Sequence, residues 1–144
     1  MKHSICITYL KDVDDCCRHW NYILKHYAQE EIYILGSAPW EANILKEAKH
    51  IVSLDELPAD QKVVVMAPQN GKYIQGEISL HDYKHEDNTI YVFGPDITNL
   101  TEDQLGEREV TKVYIPTDRS EFYSWVAAAI TFYDIGVKNG RTST

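Results

Sequence analysis

The alternation of short apolar runs with segments of helical periodicity constrains the fold of this chain most strongly. The runs Ser4–Tyr9, Glu31–Leu35 and Lys62–Met66 are rich in β-branched and aromatic residues, as buried strands are. Between the first two runs, apolar residues from Val13 to Tyr27 recur at spacings of three and four, which predicts a helix with one apolar face. A strand, a helix and a second strand usually form a parallel pair joined by a right-handed crossover. The pattern therefore predicts an α/β domain with a mostly parallel sheet.

Further apolar runs at Ile51–Leu54, Thr89–Phe93 and Val110–Ile115 complete the predicted sheet. With them the sheet has about six strands flanked by helices, and the uninterrupted run in Lys62–Met66 is typical of a central strand. At 144 residues the chain is within the usual range for one domain. We therefore expect a single domain over residues 1–136 and a polar tail over residues 137–144.

Helices are predicted to follow the strands. The first begins after Asp12, a favourable N-cap residue, and the second begins at Pro39 and extends to about Lys49. The last extends from Glu121 to about Asp134 and carries a wide apolar stripe, which suits either the sheet or a partner subunit. The members of this stripe are Phe122, Trp125, Val126, Ala129, Ile130 and Tyr133.

Composition and charge limit the class of protein. No apolar run approaches the ~20 residues that cross a bilayer, and the amino-terminal segment lacks a signal-peptide cleavage site. The cysteines Cys6, Cys16 and Cys17 form no CxxC pair, which indicates buried thiols in a reducing compartment, so we expect a cytoplasmic protein without a membrane partner. The net charge of −8 disfavours nonspecific binding of nucleic acid, so an RNA partner needs a local basic patch. The candidates for that patch are Lys11, Arg18, Arg119, Lys138 and Arg141.

The segments that follow the strands are the places to look for a ligand site, because parallel sheets bind ligands outside the carboxyl ends of their strands. Three such segments contain Gly, Pro or Asn: Met66–Gly71, Phe93–Leu100 and Ile115–Ser120. Each segment alone is an ordinary turn. Their order and spacing carry more information than any one of them.

Three motifs in this order resemble the SpoU/TrmH branch of the SPOUT methyltransferases. They are F-G-P-D-x-x-N-L at Phe93–Leu100, V-Y-I-P-T at Val113–Thr117 and V-A-A-A-I-x-x-Y at Val126–Tyr133. That family shows F-G-P/S-E-x-x-G-L, then I-P-M and a helix of the form S-L-N-V-S-x-A-A-A-I-x-x-Y-E. Its early motif, N-x-G-N-I-x-R, aligns with Asp12–Arg18, so the resemblance covers nearly the whole chain.

The resemblance implies a carboxyl-terminal trefoil knot and an S-adenosylmethionine (SAM) pocket formed by the three loops. It also implies a homodimer in which the first and last helices pack across the twofold axis and Arg18 reaches the partner's active site. Cys16, Cys17, Trp20, Trp125 and Tyr133 are the apolar residues suited to that contact. The implied cofactor-binding residues are Ala67, Pro68, Gln69, Asn70, Gly71, Phe93, Gly94, Pro95, Asp96, Leu100, Tyr114, Ile115, Pro116, Thr117, Ser120 and Ser124.

The implied activity is SAM-dependent methylation of RNA, either tRNA or another structured RNA, at a ribose 2′-oxygen or a base. Arg18 is a candidate to bind phosphate or to stabilise a ribose oxyanion, or else an ordinary exposed arginine. Glu121 and Tyr123 stand where the family has serine and asparagine, and they suit a general base and a positioning hydroxyl. The same departures also suit a degenerate SPOUT dimer that binds SAM or a partner without methyl transfer. A third interpretation is an unrelated flavodoxin-like module.

A histidine-rich segment, L-H-D-Y-K-H-E-D-N at Leu80–Asn88, offers a separate hypothesis. His81 and His85 are spaced as zinc ligands on a helix would be, with Asp82 and Glu86 beside them. The surrounding residues are polar and precede a strand, which favours a solvated loop. We therefore expect no metal site.

Overall fold

A parallel sheet forms the centre of the protein, whose structure is a computed structural model that describes residues 2–8, 16–27, 29–36, 48–69, 74–94, 100–118 and 124–139. In these ranges the sheet has seven strands in the order β3-β2-β1-β6-β4-β7-β5, and all pairs are parallel. The strands are β1 (His3–Thr8), β2 (Ile32–Leu35), β3 (Lys49–Ile51), β4 (Lys62–Met66), β5 (Ile78–Ser79), β6 (Thr89–Phe93) and β7 (Thr111–Tyr114). In the same ranges the helices are α1 (Cys16–His26), α2 (Glu102–Leu105) and α3 (Ser124–Lys138), with one 3₁₀ turn at Leu54–Glu56.

The predicted α/β class and parallel sheet are confirmed, and the bounds of β4 and β6 agree with the prediction. The strand order excludes the flavodoxin-like interpretation, because that fold has the order 2-1-3-4-5, whereas here β4 lies between β6 and β7. The trefoil knot stays a prediction. No helix in the described ranges is both long and apolar enough to span a bilayer.

Alternate residues of the strands cover two hydrophobic layers. Ile5 and Ile7 of β1 pack with α1 and α3, and Cys6 between them packs with the 3₁₀ turn on the opposite face. Burial raises the pKa of the Cys6 thiol, which keeps it protonated and unreactive, as predicted. The side chains of Cys16 and Cys17 lie outside the described residues.

Two boundaries in this part of the chain differ from the prediction. Lys49 begins β3 instead of ending a helix, and Leu54 begins the 3₁₀ turn instead of ending a strand. A capping box explains the second difference: the Ser53 hydroxyl accepts from the backbone N–H of Asp55 at 3.2 Å, and the Glu56 carboxylate accepts from that of Ser53 at 3.0 Å. The start of the predicted helix at Pro39 lies outside the described residues.

The last helix also differs from its predicted course. α3 continues to Lys138, past the predicted end at Asp134 and into the segment predicted as a tail. The Lys138 ammonium donates to the carbonyls of Leu80 and Tyr83 at 2.5 and 2.8 Å, and these bonds hold the end of the helix against the loop before β6. Lys138 was expected in a basic patch for RNA, which stays a prediction; its ammonium is engaged by these two carbonyls.

The core contains one residue that was expected at a subunit contact. Trp20 is fully buried within its own protomer, where its ring packs against Phe93 at a centroid distance of 5.6 Å. It therefore cannot contribute to a dimer interface. Tyr133 of α3 remains 60% exposed, and Trp125 is half-buried against α1.

Candidate cofactor and substrate site

The segments with the family-like motifs follow three neighbouring strands. β6, β4 and β7 lie side by side, with Met66 at the end of β4 in register with Phe93 of β6 and Val113 of β7. Because the strands are parallel, their carboxyl ends reach the same edge of the sheet. The structure therefore brings together segments that are up to about fifty residues apart in the sequence.

The end of β4 is tied to β7. Ala67 is buried, and its N–H donates to the carbonyl of Val113 at 2.9 Å, which extends the pairing one residue past β4. Pro68 and Gln69 are half-buried at the same edge. The Pro68 carbonyl accepts from the N–H of Gly76 at 3.0 Å, so the chain returns to the sheet immediately after this loop. The remaining predicted residues of the loop, Asn70 and Gly71, lie outside the described residues.

A glycine follows the end of β6. Phe93 is buried and Gly94 is half-buried, and the Thr8 hydroxyl donates to the Phe93 carbonyl at 2.8 Å. A Cβ added at Gly94 would meet only the Cγ of Leu100 within 4 Å, at 3.8 Å, among the described residues. Among the described residues, the buried Leu100 is therefore the boundary of the space above this strand end. Pro95 and Asp96 lie outside the described residues.

The end of β7 is enclosed by the segment that contains β5. Tyr114 is half-buried, its carbonyl accepts from the N–H of Leu80 at 2.8 Å, and a Cβ at Gly76 would collide with its Cβ. Ile115 and Thr117 are half-buried and Pro116 is exposed. Ser124, at the start of α3, is buried. Three further predicted residues, Ser120, Glu121 and Tyr123, lie outside the described residues.

Arg18 lies at the beginning of α1, where its side chain is exposed. The next residue, His19, stacks on Trp125 of α3 with a centroid distance of 4.5 Å and an interplanar angle of 12°. This contact places the first turns of α1 and α3 side by side. Arg18 and Ser124 therefore belong to adjacent helix starts. Lys11, Arg119 and Arg141 lie outside the described residues.

A buried polar network in the loop before β6 was missed by sequence reasoning. The His85 side chain is fully buried, with its Nδ1 2.6 Å from the hydroxyl of Tyr91 and its Nε2 2.7 Å from a carboxylate oxygen of Asp134. A carboxylate only accepts, so Nε2–H donates to Asp134 and the Tyr91 hydroxyl donates to Nδ1. The neutral imidazole thus satisfies both bonds. Lys138 also pairs with Asp134, at 2.9 Å.

Burial decides the protonation of this network. Burial lowers the pKa of His85 despite the opposing effect of the Asp134 carboxylate, and burial raises the pKa of Tyr91. Both groups are therefore neutral at neutral pH. The prediction of a solvated loop is wrong for His85 and for the buried Tyr83 beside it. The apolar residues Leu80 and Tyr83 in this polar segment were the available signal.

The zinc hypothesis finds no support at this loop. Leu80–Asn88 forms turns instead of a helix, and His81 is exposed whereas His85 is buried. Within the part of the chain that the structure describes, no group of three potential ligands is arranged to hold a metal ion.

Comparison with known proteins shows the fold. No model of a protein family matches this sequence, and no curated protein matches it. One similar solved structure comes from work on the 2-OH methylation of C/U34 on tRNA. Its TM-score is 0.68 and its identity 16%, over 97% of this chain and 98% of that chain. The TrmH/SpoU tRNA modifying enzyme of A. aeolicus has a TM-score of 0.68 and 10% identity over 98% of this chain and 77% of that chain.

A third similar structure is that of an AdoMet-bound rRNA methyltransferase from Sinorhizobium meliloti. Its TM-score is 0.68 and its identity 11%, over 94% of this chain and 56% of that chain. At these identities the likeness concerns the arrangement of the backbone. The chain therefore has the fold of the SpoU/TrmH-type RNA methyltransferases.

Proposed function

We propose that this protein is a SAM-dependent RNA methyltransferase whose cofactor binds at the carboxyl ends of β4, β6 and β7. The observation that carries the proposal is the convergence of three motif-bearing segments at one edge of the sheet. The similar folds of a tRNA modifying enzyme and of an AdoMet-bound rRNA methyltransferase support the same activity.

The described residues of this edge fit a nucleoside-containing ligand. Among the described residues, Gly94 leaves space above the end of β6. The half-buried Pro68 follows β4, the next strand of the sheet, and the half-buried Ile115 follows β7, the strand beyond it. An adenine ring requires such an apolar slot, with backbone groups at its rim for hydrogen bonds. Bound there, SAM would supply an electrophilic methyl group.

The proposed catalytic residues act on the RNA acceptor. Glu121 would accept the proton of the acceptor hydroxyl or amine, and Tyr123 would hold the acceptor by a hydrogen bond. Arg18, exposed at the start of α1, would bind a phosphate or stabilise negative charge on a ribose oxygen. These roles suit tRNA or another structured RNA whose target nucleotide is turned out of its stack.

The proposed assembly is a homodimer formed through the outward side of α3. Tyr133 and Val137 lie one turn apart on that side and are 60% and 49% exposed. Exposed apolar side chains in a row on one helix are suitable for contact with a second copy of the chain. The trefoil knot and a cytoplasmic location belong to the same proposal.

A degenerate SPOUT dimer that binds SAM without methyl transfer is the second candidate. The net charge of −8 favours it, because the charge opposes RNA binding, and so do Glu121 and Tyr123 at positions where the family has serine and asparagine. The two candidates share the cofactor site and differ only in the transfer step.

Methyl transfer to RNA tests the proposal. Bulk RNA from cells that lack this protein is incubated with the protein and methyl-labelled SAM, and RNA from cells that contain it serves as the matched, already modified control. We expect label in the first RNA, little in the second, and loss of incorporation in Glu121→Gln and Arg18→Ala. SAM binding without label in either RNA would favour the degenerate dimer. Incorporation unchanged in both variants would contradict the catalytic assignments.

A further inference from the structure

The solvent-facing side of α1 carries an unusual set of side chains. Arg18, Tyr22, Lys25 and His26 are all exposed, and we call these four residues the α1 outer face. Their spacing puts them on one side of the helix, opposite the buried Trp20. The α1 outer face is about 12 Å long, since the helix rises 1.5 Å per residue.

The charge of the α1 outer face is opposite to that of the protein as a whole. α1 has the sequence C-C-R-H-W-N-Y-I-L-K-H, which contains no aspartate or glutamate, whereas the chain carries a net charge of −8. α1 thus presents a local cationic surface on an acidic protein.

An aromatic side chain lies within this cationic surface. Tyr22 is 65% exposed, and its ring centroid is 4.7 Å from that of His26. Aromatic rings between basic residues are typical of surfaces that bind unpaired nucleotides, because the rings stack on bases while the cations contact phosphates. A surface that binds a protein partner with high affinity usually has a larger apolar patch at its centre than the α1 outer face has.

We propose that the α1 outer face binds an unpaired segment of the RNA substrate, with Arg18 and Lys25 on phosphates and Tyr22 stacked on a base. The inference rests on the proposed function and adds the surface by which RNA is held. The His19–Trp125 stack joins the start of α1 to the start of α3, so RNA on this face leads to the proposed site.

Binding of labelled, unfractionated tRNA to the full-length protein, measured by fluorescence anisotropy over a range of salt concentrations, tests the inference. Tyr22→Ala is expected to weaken binding about tenfold without changing the salt dependence, and Tyr22→Phe to bind like the wild type, because the phenyl ring still stacks. Lys25→Gln is expected to reduce the slope of log affinity against log salt by about 0.7. Lys84→Gln, which removes an exposed lysine from the loop before β6, is the matched control and should change neither quantity.

The outcomes separate this inference from the proposed function. If wild-type protein binds tRNA and the Tyr22→Ala and Lys25→Gln variants bind equally well, the inference fails and the proposed function stands. If the wild type does not bind tRNA at low salt, the inference fails and the proposed function loses tRNA as its substrate. Sedimentation measures the oligomeric state of the same variants. A change from dimer to monomer would show that the α1 outer face is a subunit contact and would overturn the inference.

Discussion

Acidification is expected to destabilise this protein through His85. Its imidazole is fully buried and neutral, and it accepts from Tyr91 while it donates to Asp134. Protonation would add a second N–H facing the Tyr91 hydroxyl, which would have to turn away. Burial lowers the pKa of His85 in the folded protein, so the unfolded chain binds this proton more tightly. The stabilisation is therefore complete above the unfolded pKa of about 6.5 and is lost as the pH falls below it.

The size of the effect follows from proton linkage. Between the unfolded pKa of His85 and its lower folded pKa, the difference in bound protons approaches one. The free energy of unfolding then falls by up to about 1.4 kcal/mol for each pH unit. His85→Gln keeps a donor and an acceptor but does not titrate, so the variant lacks this contribution.

Urea unfolding followed by tryptophan fluorescence measures the effect, because Trp20 is fully buried in the folded protein. Wild type and His85→Gln are compared from about pH 8 to about pH 5.5, which brackets the titration of histidine. Their difference in unfolding free energy should narrow as the pH falls, since only the wild type has His85. A difference that stays constant over this range, or that widens in favour of the wild type, would refute the assignment of His85 as a buried neutral group.

Two further predictions concern packing and hydrogen bonding. Gly76→Ala should lower the unfolding free energy by about 1–3 kcal/mol, because the new Cβ would collide with Tyr114. Gly94→Ala should change the unfolding free energy by less than about 1 kcal/mol. A comparison of the urea midpoints of the two variants checks both predictions. The Arg108 guanidinium donates to the carbonyls of residues 57, 58 and 61, each at 2.7 Å, so Arg108→Ala should cost about 2–4 kcal/mol of unfolding free energy. If Arg108→Ala lowers the unfolding free energy no more than Lys84→Gln does in the same assay, the stabilising role of Arg108 is contradicted.

The elements that the sequence predicts best are those whose signal is local. β4 and β6 are uninterrupted apolar runs between polar segments, and their predicted bounds agree with the structure. The helical periodicity before β2 likewise identifies the face of α1 that contains Trp20 and Leu24. Periodicity shows that a face is apolar, however, and does not show which surface covers it. Trp20 was for this reason assigned to a subunit contact when it belongs to the core.

The misplaced elements depend on contacts with distant parts of the chain. β5 has only two residues, and its pairing with Val113 and Tyr114 is what makes it a strand. His85 lies in a polar segment, and its burial results from Asp134, which is 49 positions away in the sequence. No local pattern contains that information.

The candidate site was predictable in its parts but not in its arrangement. The motifs after β4, β6 and β7 are visible in the sequence, whereas the position of β4 between β6 and β7 is a property of the sheet order. That order makes the three segments neighbours. The roles of Glu121 and Tyr123 rest on the resemblance to the SpoU/TrmH family and remain proposals.

Binding of SAM at the carboxyl ends of β4, β6 and β7 is the central claim, and titration calorimetry tests it most directly. Wild-type protein is titrated with SAM beside Gly94→Ala, whose new Cβ has an ordinary contact with Leu100 and occupies the space proposed for the ligand. The account predicts saturable binding to the wild type and affinity weaker by about tenfold in Gly94→Ala at unchanged folding stability. Absence of binding to the wild type at millimolar SAM, or equal affinity of the two proteins, would contradict it.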